Sequence, residues 1–137
     1  MSNPRHILVV DDDADLRRMV TEYLNDYELR VTGATDGAAM RHALAREVVD
    51  LILLDLNMPG MDGKQVLEKI KGDTAFKNIP VIVLTTSADN IDVERCYSLG
   101  ASTYIQKPVS FDGLTAAVRT MKNYWCGIAL LPSKREE

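Results

Sequence analysis

Acidic residues stand directly after two of the apolar runs in this sequence. Asp11 and Asp12 follow the first run, and Asp55 follows another. If the two runs form neighbouring strands, the carboxylates that follow them lie a few ångströms apart. Their mutual repulsion would be relieved by a bound cation. Mg²⁺ suits such a place, because it prefers hard oxygen ligands, is held by one or two carboxylates and keeps waters or phosphate oxygens. We predict Mg²⁺, with Mn²⁺ or Ca²⁺ as substitutes, on Asp12, Asp55 and the Asn57 backbone carbonyl, and Asp11 on a metal-bound water.

The alternative for the first acidic run is a solvated cap of the helix that follows it. Carboxylates at a helix N-terminus accept backbone N–H groups and complement the helix dipole. Asp13 and Asp15 are expected to serve only that purpose.

Asp55 is also a candidate nucleophile. A carboxylate can attack phosphorus and form an aspartyl phosphate if a metal and a cation neutralise the equatorial oxygens. Lys107 is the candidate cation, and Thr85 offers a hydroxyl to a phosphoryl oxygen. The bond between Lys107 and Pro108 is a candidate for the cis form, which would turn the lysine inward. The ordinary alternatives are a surface lysine and a threonine placed by its β propensity.

Short apolar runs recur along the chain and are separated by helical patterns. Continuous rather than alternating hydrophobicity is typical of parallel strands that are covered by helices on both faces. The predicted strands are residues 7–10, 29–32, 51–54, 81–84 and 103–106. The predicted helices begin after Asp13, at Asp36, after Asp62, at Asp89 and at Ser110, the last two with Asp89 and Ser110 available as N-caps.

Five alternations of strand and helix predict an α/β fold: a doubly wound, five-stranded parallel sheet in a three-layer α/β/α sandwich. Ligands of such sheets lie beyond the carboxyl ends of the strands. Asp11, Asp12, Asp55, Thr85 and Lys107 all end strands, so the chemistry falls on one edge.

Composition limits the class of protein further. The 137 residues fit one domain, and a net charge of −4 argues against direct DNA binding. Cys96 and Cys126 lack metal-ligand or redox spacing and are expected to be reduced thiols. We find neither a signal peptide nor an apolar run long enough for a membrane, so we expect a cytoplasmic location.

Four motifs, in their order and spacing, resemble those of CheY-like receiver domains of two-component response regulators, over about residues 5 to 122. They are residues 9–13, 53–63, 84–87 and 104–108. The resemblance implies a flavodoxin-like (βα)5 fold with the strand order 2-1-3-4-5, which is carried over from the family. It implies a phosphoacceptor switch rather than an enzyme, with only self-catalysed phosphotransfer and autodephosphorylation.

The family's functional residues carry over to matching positions in this sequence. A sensor histidine kinase would donate the phosphoryl group, and the new charge would draw two side chains toward it while an aromatic switch residue swings inward. The implied residues are the phosphoacceptor Asp55, the metal acids Asp11 and Asp12, the switch hydroxyl Thr85, the cation Lys107 and the switch aromatic Tyr104. The surface of the fourth helix, fifth strand and fifth helix then changes. The alternative for Tyr104 is an ordinary strand aromatic packed on its neighbour.

Residues 1–122 are the predicted receiver domain, and residues 123–137 are an apolar and aromatic extension. Exposed, this extension would be an aggregation liability, so it must fold back or contact another chain. We predict a homodimer in which the extension crosses to the partner, with fold-back as the alternative. The dimer candidates are Tyr124, Trp125, Ile128, Leu130 and Leu131. Such tails resemble those of regulators encoded with phytochrome-like kinases; a chemotaxis-type or phosphorelay shuttle is the alternative.

Two other function classes are disfavoured. Asp11 and Asp13 match the Asp-x-Asp of haloacid-dehalogenase-like phosphatases, but Asp15 stands where those enzymes want Thr or Val. A nucleotide-binding loop is missing, because no glycine-rich segment ending in Lys-Ser or Lys-Thr follows a strand. A third possibility is a degenerate receiver that acts as an unphosphorylated scaffold. The sequence argues against it, because every expected active-site group is present.

Overall fold

Five parallel strands form the central sheet of the computed structural model, which describes residues 5–58, 60–129 and 131–132. The strands are β1 His6–Val10, β2 Arg30–Ala34, β3 Leu51–Leu54, β4 Val81–Thr85 and β5 Thr103–Gln106. Their order across the sheet is β2-β1-β3-β4-β5. The predicted order 2-1-3-4-5 is therefore confirmed, and β2 and β5 are the edges.

Four helices connect the strands and a fifth follows β5, and each begins within one residue of its predicted start. They are α1 Ala14–Asn25, α2 Gly37–Arg46, α3 Gly63–Gly72, α4 Asn90–Ser98 and α5 Phe111–Asn123. Each has a side-chain N-cap, in order Asp13, Asp36, Asp62, Asp89 and Ser110. These caps satisfy backbone N–H groups that have no partner inside the helix.

The helices cover both faces of the sheet, as the three-layer prediction requires. One core lies under α1 and α5, with alternate strand residues such as Ile7, Leu53 and Ile82. The other lies under α2, α3 and α4, with the intervening residues such as Leu8 and Ile52. Because successive strand residues point to opposite faces, the buried central strands are apolar at every position except His6 at the start of β1 and Thr85 at the end of β4.

Strand β2 is displaced from its predicted range, residues 29–32. Leu29 is buried, but it follows Glu28, whose φ of 62° belongs to a turn, and its N–H donates to Leu24 rather than to the sheet. Pairing with β1 starts at Arg30 and continues to Ala34. The half-exposed edge strand lacks the apolar run that identifies the central strands.

The extension continues from α5 as a π-helical turn, Tyr124–Ile128. Trp125 and Cys126 pack against the core under α1 and α5, and Leu131 is buried. Tyr124 and Ile128 are 50% and 73% exposed. The fold-back alternative therefore describes part of the extension, and Leu130 lies outside the described residues.

No helix in the described ranges combines the length and the apolar character needed to cross a bilayer.

The loop after β3 forms a two-residue antiparallel ladder, in which Asn57 and Met58 pair with Asp62 and Met61. This ladder brings the start of α3 back toward the end of β3.

Gly63, the first residue of α3, contacts the loop after β3 closely. A Cβ added there would lie 2.5 Å from the Leu56 Cα, a distance that no relaxed structure allows. We predict that Gly63→Ala lowers the free energy of unfolding by about 1–3 kcal/mol, measured by urea denaturation, because the backbone must shift. Gly72→Ala is the matched control at the other end of α3, since open space surrounds it. That variant should stay within about 1 kcal/mol of wild type. Equal effects of the two substitutions would contradict this account.

Candidate functional site

Asp11 and Lys107 form the most buried ion pair at the carboxyl edge of the sheet. The Lys107 Nζ lies 2.9 Å from Asp11 Oδ2, and the Asp11 residue is 2% exposed. Asp11 follows β1, while Lys107 follows β5 and is fixed by its N–H, which donates to the Thr85 carbonyl. The strand ends therefore bring together two side chains 96 positions apart in the sequence.

Asp55 shares the same lysine. Its Oδ2 lies 3.4 Å from the Lys107 Nζ, and its Oδ1 accepts the N–H of Asn57 at 3.2 Å. The residue is 5% exposed and follows β3, the neighbour of β1. The carboxylate is therefore held in a fixed orientation by one backbone donor and one cation.

The pKa shifts reflect this burial and pairing. Burial raises the pKa of the Asp11 carboxyl, although Lys107 and the Asp13 N–H oppose the rise. Burial alone would lower the pKa of Lys107, but Asp11 and Asp55 outweigh it and raise that pKa. Lys107 therefore keeps its positive charge at neutral pH.

The Lys107–Pro108 bond corrects one prediction. Among the described residues every peptide bond is trans, including this one, so the predicted cis form is wrong. The lysine turns inward without it, because β5 pairs with β4 up to Gln106 and the Lys107 N–H continues the bonding to Thr85. The strand register alone aims the side chain at the acids.

Three carboxylates form a group that fits a divalent cation. One oxygen each from Asp11, Asp12 and Asp55 lies within 4.8 Å of the other two. Asp11 and Asp55 are buried and Asp12 is exposed, so the group opens to solvent on one side. Hard oxygens with an open side suit Mg²⁺, which keeps several waters. The Asn57 carbonyl stays a predicted ligand.

The Thr85 hydroxyl points to a partner that the sequence analysis did not identify. Thr85 is fully buried at the end of β4, and its Oγ1 accepts a hydrogen bond from the Asn57 side-chain amide at 3.1 Å. Asn57 therefore contacts both Asp55, through its backbone, and Thr85, through its side chain. It links the candidate nucleophile to the candidate switch hydroxyl.

Tyr104 is half-buried and packs against the core under α2, α3 and α4. Its hydroxyl donates to the Ser87 carbonyl at 2.8 Å, and its backbone N–H donates to the Tyr97 hydroxyl at 3.0 Å. Burial raises the pKa of the Tyr104 phenol. The Tyr104 hydroxyl is therefore hydrogen-bonded to the loop between β4 and α4, at Ser87, which is two residues after Thr85 in the sequence.

Arg17 is a further residue that the sequence analysis missed. Its guanidinium donates to the Asp11 backbone carbonyl at 2.7 Å, and its stem lies against Gly33 of β2. A Cβ at Gly33 would lie 3.2 Å from the Arg17 Cδ. The position of Arg17 in the first turns of α1, which Asp13 caps, was the available signal.

Comparison with known proteins agrees with this arrangement. The family model described as the response regulator receiver domain matches residues 7–119. The chain belongs to this family. The receiver domain occupies most of the sequence, with α1 to α4 inside the matched range and α5 running past its end.

Relatives of this receiver domain include response regulator Rcp1 of Synechocystis, which is 36% identical, with 95% of each chain covered. The Mn²⁺-bound crystal structure of Rcp1 has a TM-score of 0.88 at 34% identity, covering 95% of this chain and 100% of the other. The phosphorylated cyanobacterial phytochrome response regulator RcpA also scores 0.88 at 34% identity, with 95% and 99% covered. FilR2, a probable methanogenesis regulatory protein of Methanothrix harundinacea, is 39% identical over 69% of this chain, which spans 61% of FilR2.

Removing the lysine tests the electrostatics of the receiver site. Lys107→Met leaves two buried carboxylates without their cation, so we expect the free energy of unfolding at pH 7 to fall by about 1–3 kcal/mol. Burial already raises the pKa of the Asp11 carboxyl, and without the cation that pKa rises further above its unfolded value of about 3.9. Because the penalty arises as pH climbs from the unfolded to the folded pKa, the loss should shrink on acidification toward pH 4.

Urea denaturation between pH 7 and pH 4 measures this effect. Lys77→Met is the control, since it removes one exposed lysine and the same net charge. A loss for Lys107→Met that is independent of pH would show that packing rather than charge is responsible.

Proposed function

We propose that Asp55 accepts a phosphoryl group from the phosphohistidine of a sensor histidine kinase, in a Mg²⁺-dependent reaction. The observation that carries the proposal is the shared lysine: Lys107 contacts Asp11 and Asp55 at the edge where parallel sheets bind ligands. A fixed carboxylate beside a cation and two further acids is what phosphoryl transfer to an aspartate requires.

In the transfer, a carboxylate oxygen of Asp55 bonds to phosphorus as the phosphorus–nitrogen bond of the donor histidine breaks. Lys107 stands where it can neutralise an equatorial oxygen, since its Nζ is 3.4 Å from Asp55 Oδ2. Asp12, Asp55 and the Asn57 carbonyl would hold Mg²⁺, with Asp11 on one of its waters. Bound there, Mg²⁺ would offset the charge of the acids and of the phosphoryl oxygens.

The proposed switch begins at Thr85. Its hydroxyl oxygen is bound by the Asn57 amide, so its approach to a phosphoryl oxygen exchanges that contact for a charge-assisted one. Tyr104 and the loop between β4 and α4 then follow, and the surface of α4, β5 and α5 changes. Phosphorylation would bias a two-state element in this way.

The proposed kinase partner is of the phytochrome-like type. The support is the similarity over 95% of this chain to Rcp1 and to RcpA, which is a phytochrome response regulator. The proposed location is the cytoplasm. Direct DNA binding is not proposed, because the net charge is −4.

Phosphotransfer tests the proposal directly. Acetyl phosphate or a phosphorylated histidine kinase, with Mg²⁺, should produce a retarded band on a phosphate-affinity gel. We expect Asp55→Asn to abolish the band, because an amide cannot form the acyl phosphate, and we expect EDTA to abolish it in the wild type.

Asp12→Asn should slow labelling while Asp13→Asn, which alters only a helix cap, leaves it unchanged. Equal labelling of Asp55→Asn would overturn the site assignment. Label on Asp11 instead would favour the phosphatase-like class.

We also propose a homodimer that uses the extension. Trp125 and Leu131 pack on their own domain, but Tyr124 and Ile128 expose apolar surface. Tyr124 borders a groove of about 420 Å³ beside the edge strand β5, with Ile105 and Thr120 among its walls. A second copy related by two-fold symmetry would cover the same patch on both chains.

Light scattering tests the dimer. We expect wild type to dimerise and the double variant Tyr124→Ser, Ile128→Ser to be monomeric, because the paired apolar surface is lost. Ile91→Ser, which removes an equally exposed isoleucine on α4, is the control. A monomeric wild type at high concentration, with and without beryllofluoride, would refute the dimer. A dimer that survives the double substitution would move the interface away from the extension.

A further inference from the structure

A polar network outside the phosphoryl-transfer group joins α3 to the loop between β4 and α4. The Lys64 Nζ lies 2.7 Å from Asp92 Oδ1 on α4. The other oxygen of that carboxylate, Oδ2, accepts the Ser87 hydroxyl at 2.8 Å. Asp92 therefore bridges a residue on α3 and a residue of the loop.

The same loop residue binds the candidate switch tyrosine. Ser87 presents its side chain to Asp92 and its backbone carbonyl to the Tyr104 hydroxyl, at 2.8 Å in each case. The Asp89 N–H donates to the Ser87 hydroxyl oxygen at 3.3 Å, which closes the turn. Fixing the Ser87 side chain therefore fixes the carbonyl that anchors Tyr104.

The other end of the network rests on the phosphoacceptor segment. The Gly63 N–H donates to the Leu56 carbonyl at 3.2 Å, and the backbones are so close there that a Cβ does not fit. Leu56 is the residue next to Asp55, and Lys64 is the residue next to Gly63. The Asp55 loop therefore lies directly against the start of α3, one residue before Lys64.

We propose that Lys64, Asp92 and Ser87 form a latch that positions the Ser87 carbonyl for Tyr104 and couples it to the Asp55 loop. This inference rests on the proposed function and adds a second route beside the one through Asn57 and Thr85. The three side chains are positioning residues, since no hydrogen bond or ion pair joins any of them to Asp55 or Lys107 among the described residues.

The charge state of the latch supports this role. The hydrogen bond to Asp92 raises the pKa of Lys64. The bonds from Lys64 and then Ser87 lower the pKa of Asp92. The two side chains are therefore oppositely charged at neutral pH. The Lys64 and Asp92 side chains are 36% and 24% exposed, so solvent screens their attraction. We therefore expect the pair to shift a two-state equilibrium modestly and not to fix one state completely.

Fluorine NMR of protein labelled with 3-fluorotyrosine measures this bias at Tyr104. The protein has five tyrosines, and Tyr104→Phe assigns the relevant signal. The ratio of anchored to free Tyr104, read from two peaks or from one averaged shift, is measured with and without Mg²⁺ and beryllofluoride. Thermal unfolding is recorded in parallel.

We expect Lys64→Met and Ser87→Ala each to lower the anchored ratio about two- to five-fold, the range of an exposed pair. The double variant should lose little more than the stronger single variant, because both residues act through Asp92. Lys69→Met, an exposed lysine on the same helix, is the control and should leave the ratio unchanged.

Two results would overturn the latch: a Tyr104 ratio that is unchanged while the melting temperature falls, or single effects that simply add. The first would make the ion pair structural, and the second would make Lys64 and Ser87 independent. A wild type whose spectrum ignores beryllofluoride would instead count against the proposed function, since the latch is measured in its absence as well.

Discussion

The sharing of one lysine by two buried carboxylates is the constraint on which the site depends. Asp11 and Asp55 stand at the ends of adjacent strands, where their repulsion in a poorly hydrated place would be costly. Lys107 reaches both, at 2.9 and 3.4 Å, from the far edge strand. The resulting group keeps a surplus of negative charge once Asp12 is included, and that surplus is what attracts a divalent cation.

The rest of the fold maintains this geometry. Parallel strands in the order β2-β1-β3-β4-β5 bring four strand ends to one edge, and cores on both faces hold them there. Arg17 holds the Asp11 backbone, and Asn57 ties Asp55 to Thr85. The Asp55 carboxylate is thus held in place, whereas Thr85 and Tyr104 each have a hydrogen bond, to Asn57 and to Ser87, that could break when a new charge appears on Asp55. A rigid receiver beside exchangeable contacts is a physical basis for a switch.

Much of this could be predicted from the sequence, because the relevant signals are local. Apolar runs identify the central strands, and the caps Asp89 and Ser110 identify helix starts. Acidic residues at the strand ends then identify the carboxyl edge of the sheet as the candidate site. The predicted range of β2 differs from the observed one, because the sequence of this edge strand has no continuous apolar run that marks its ends.

Other features could not be predicted because they depend on tertiary contacts. The inward position of Lys107 depends on the pairing of β5 with β4, and the Asn57–Thr85 bond joins residues that are 28 positions apart. The ion pair of Lys64 with Asp92 depends on how α3 packs beside α4. Sequence gives residue types at these positions but no distances between them.

A crystal structure with Mg²⁺ and beryllofluoride tests the central claim most directly. The account predicts beryllium bonded to an Asp55 oxygen, fluorides in contact with the Lys107 Nζ and the Thr85 hydroxyl, Mg²⁺ on Asp12 and Asp55, and the bond from Asn57 to Thr85 broken. Beryllofluoride bound elsewhere, or Lys107 still paired only with Asp11 and Asp55 while Thr85 keeps its bond to Asn57, would contradict it.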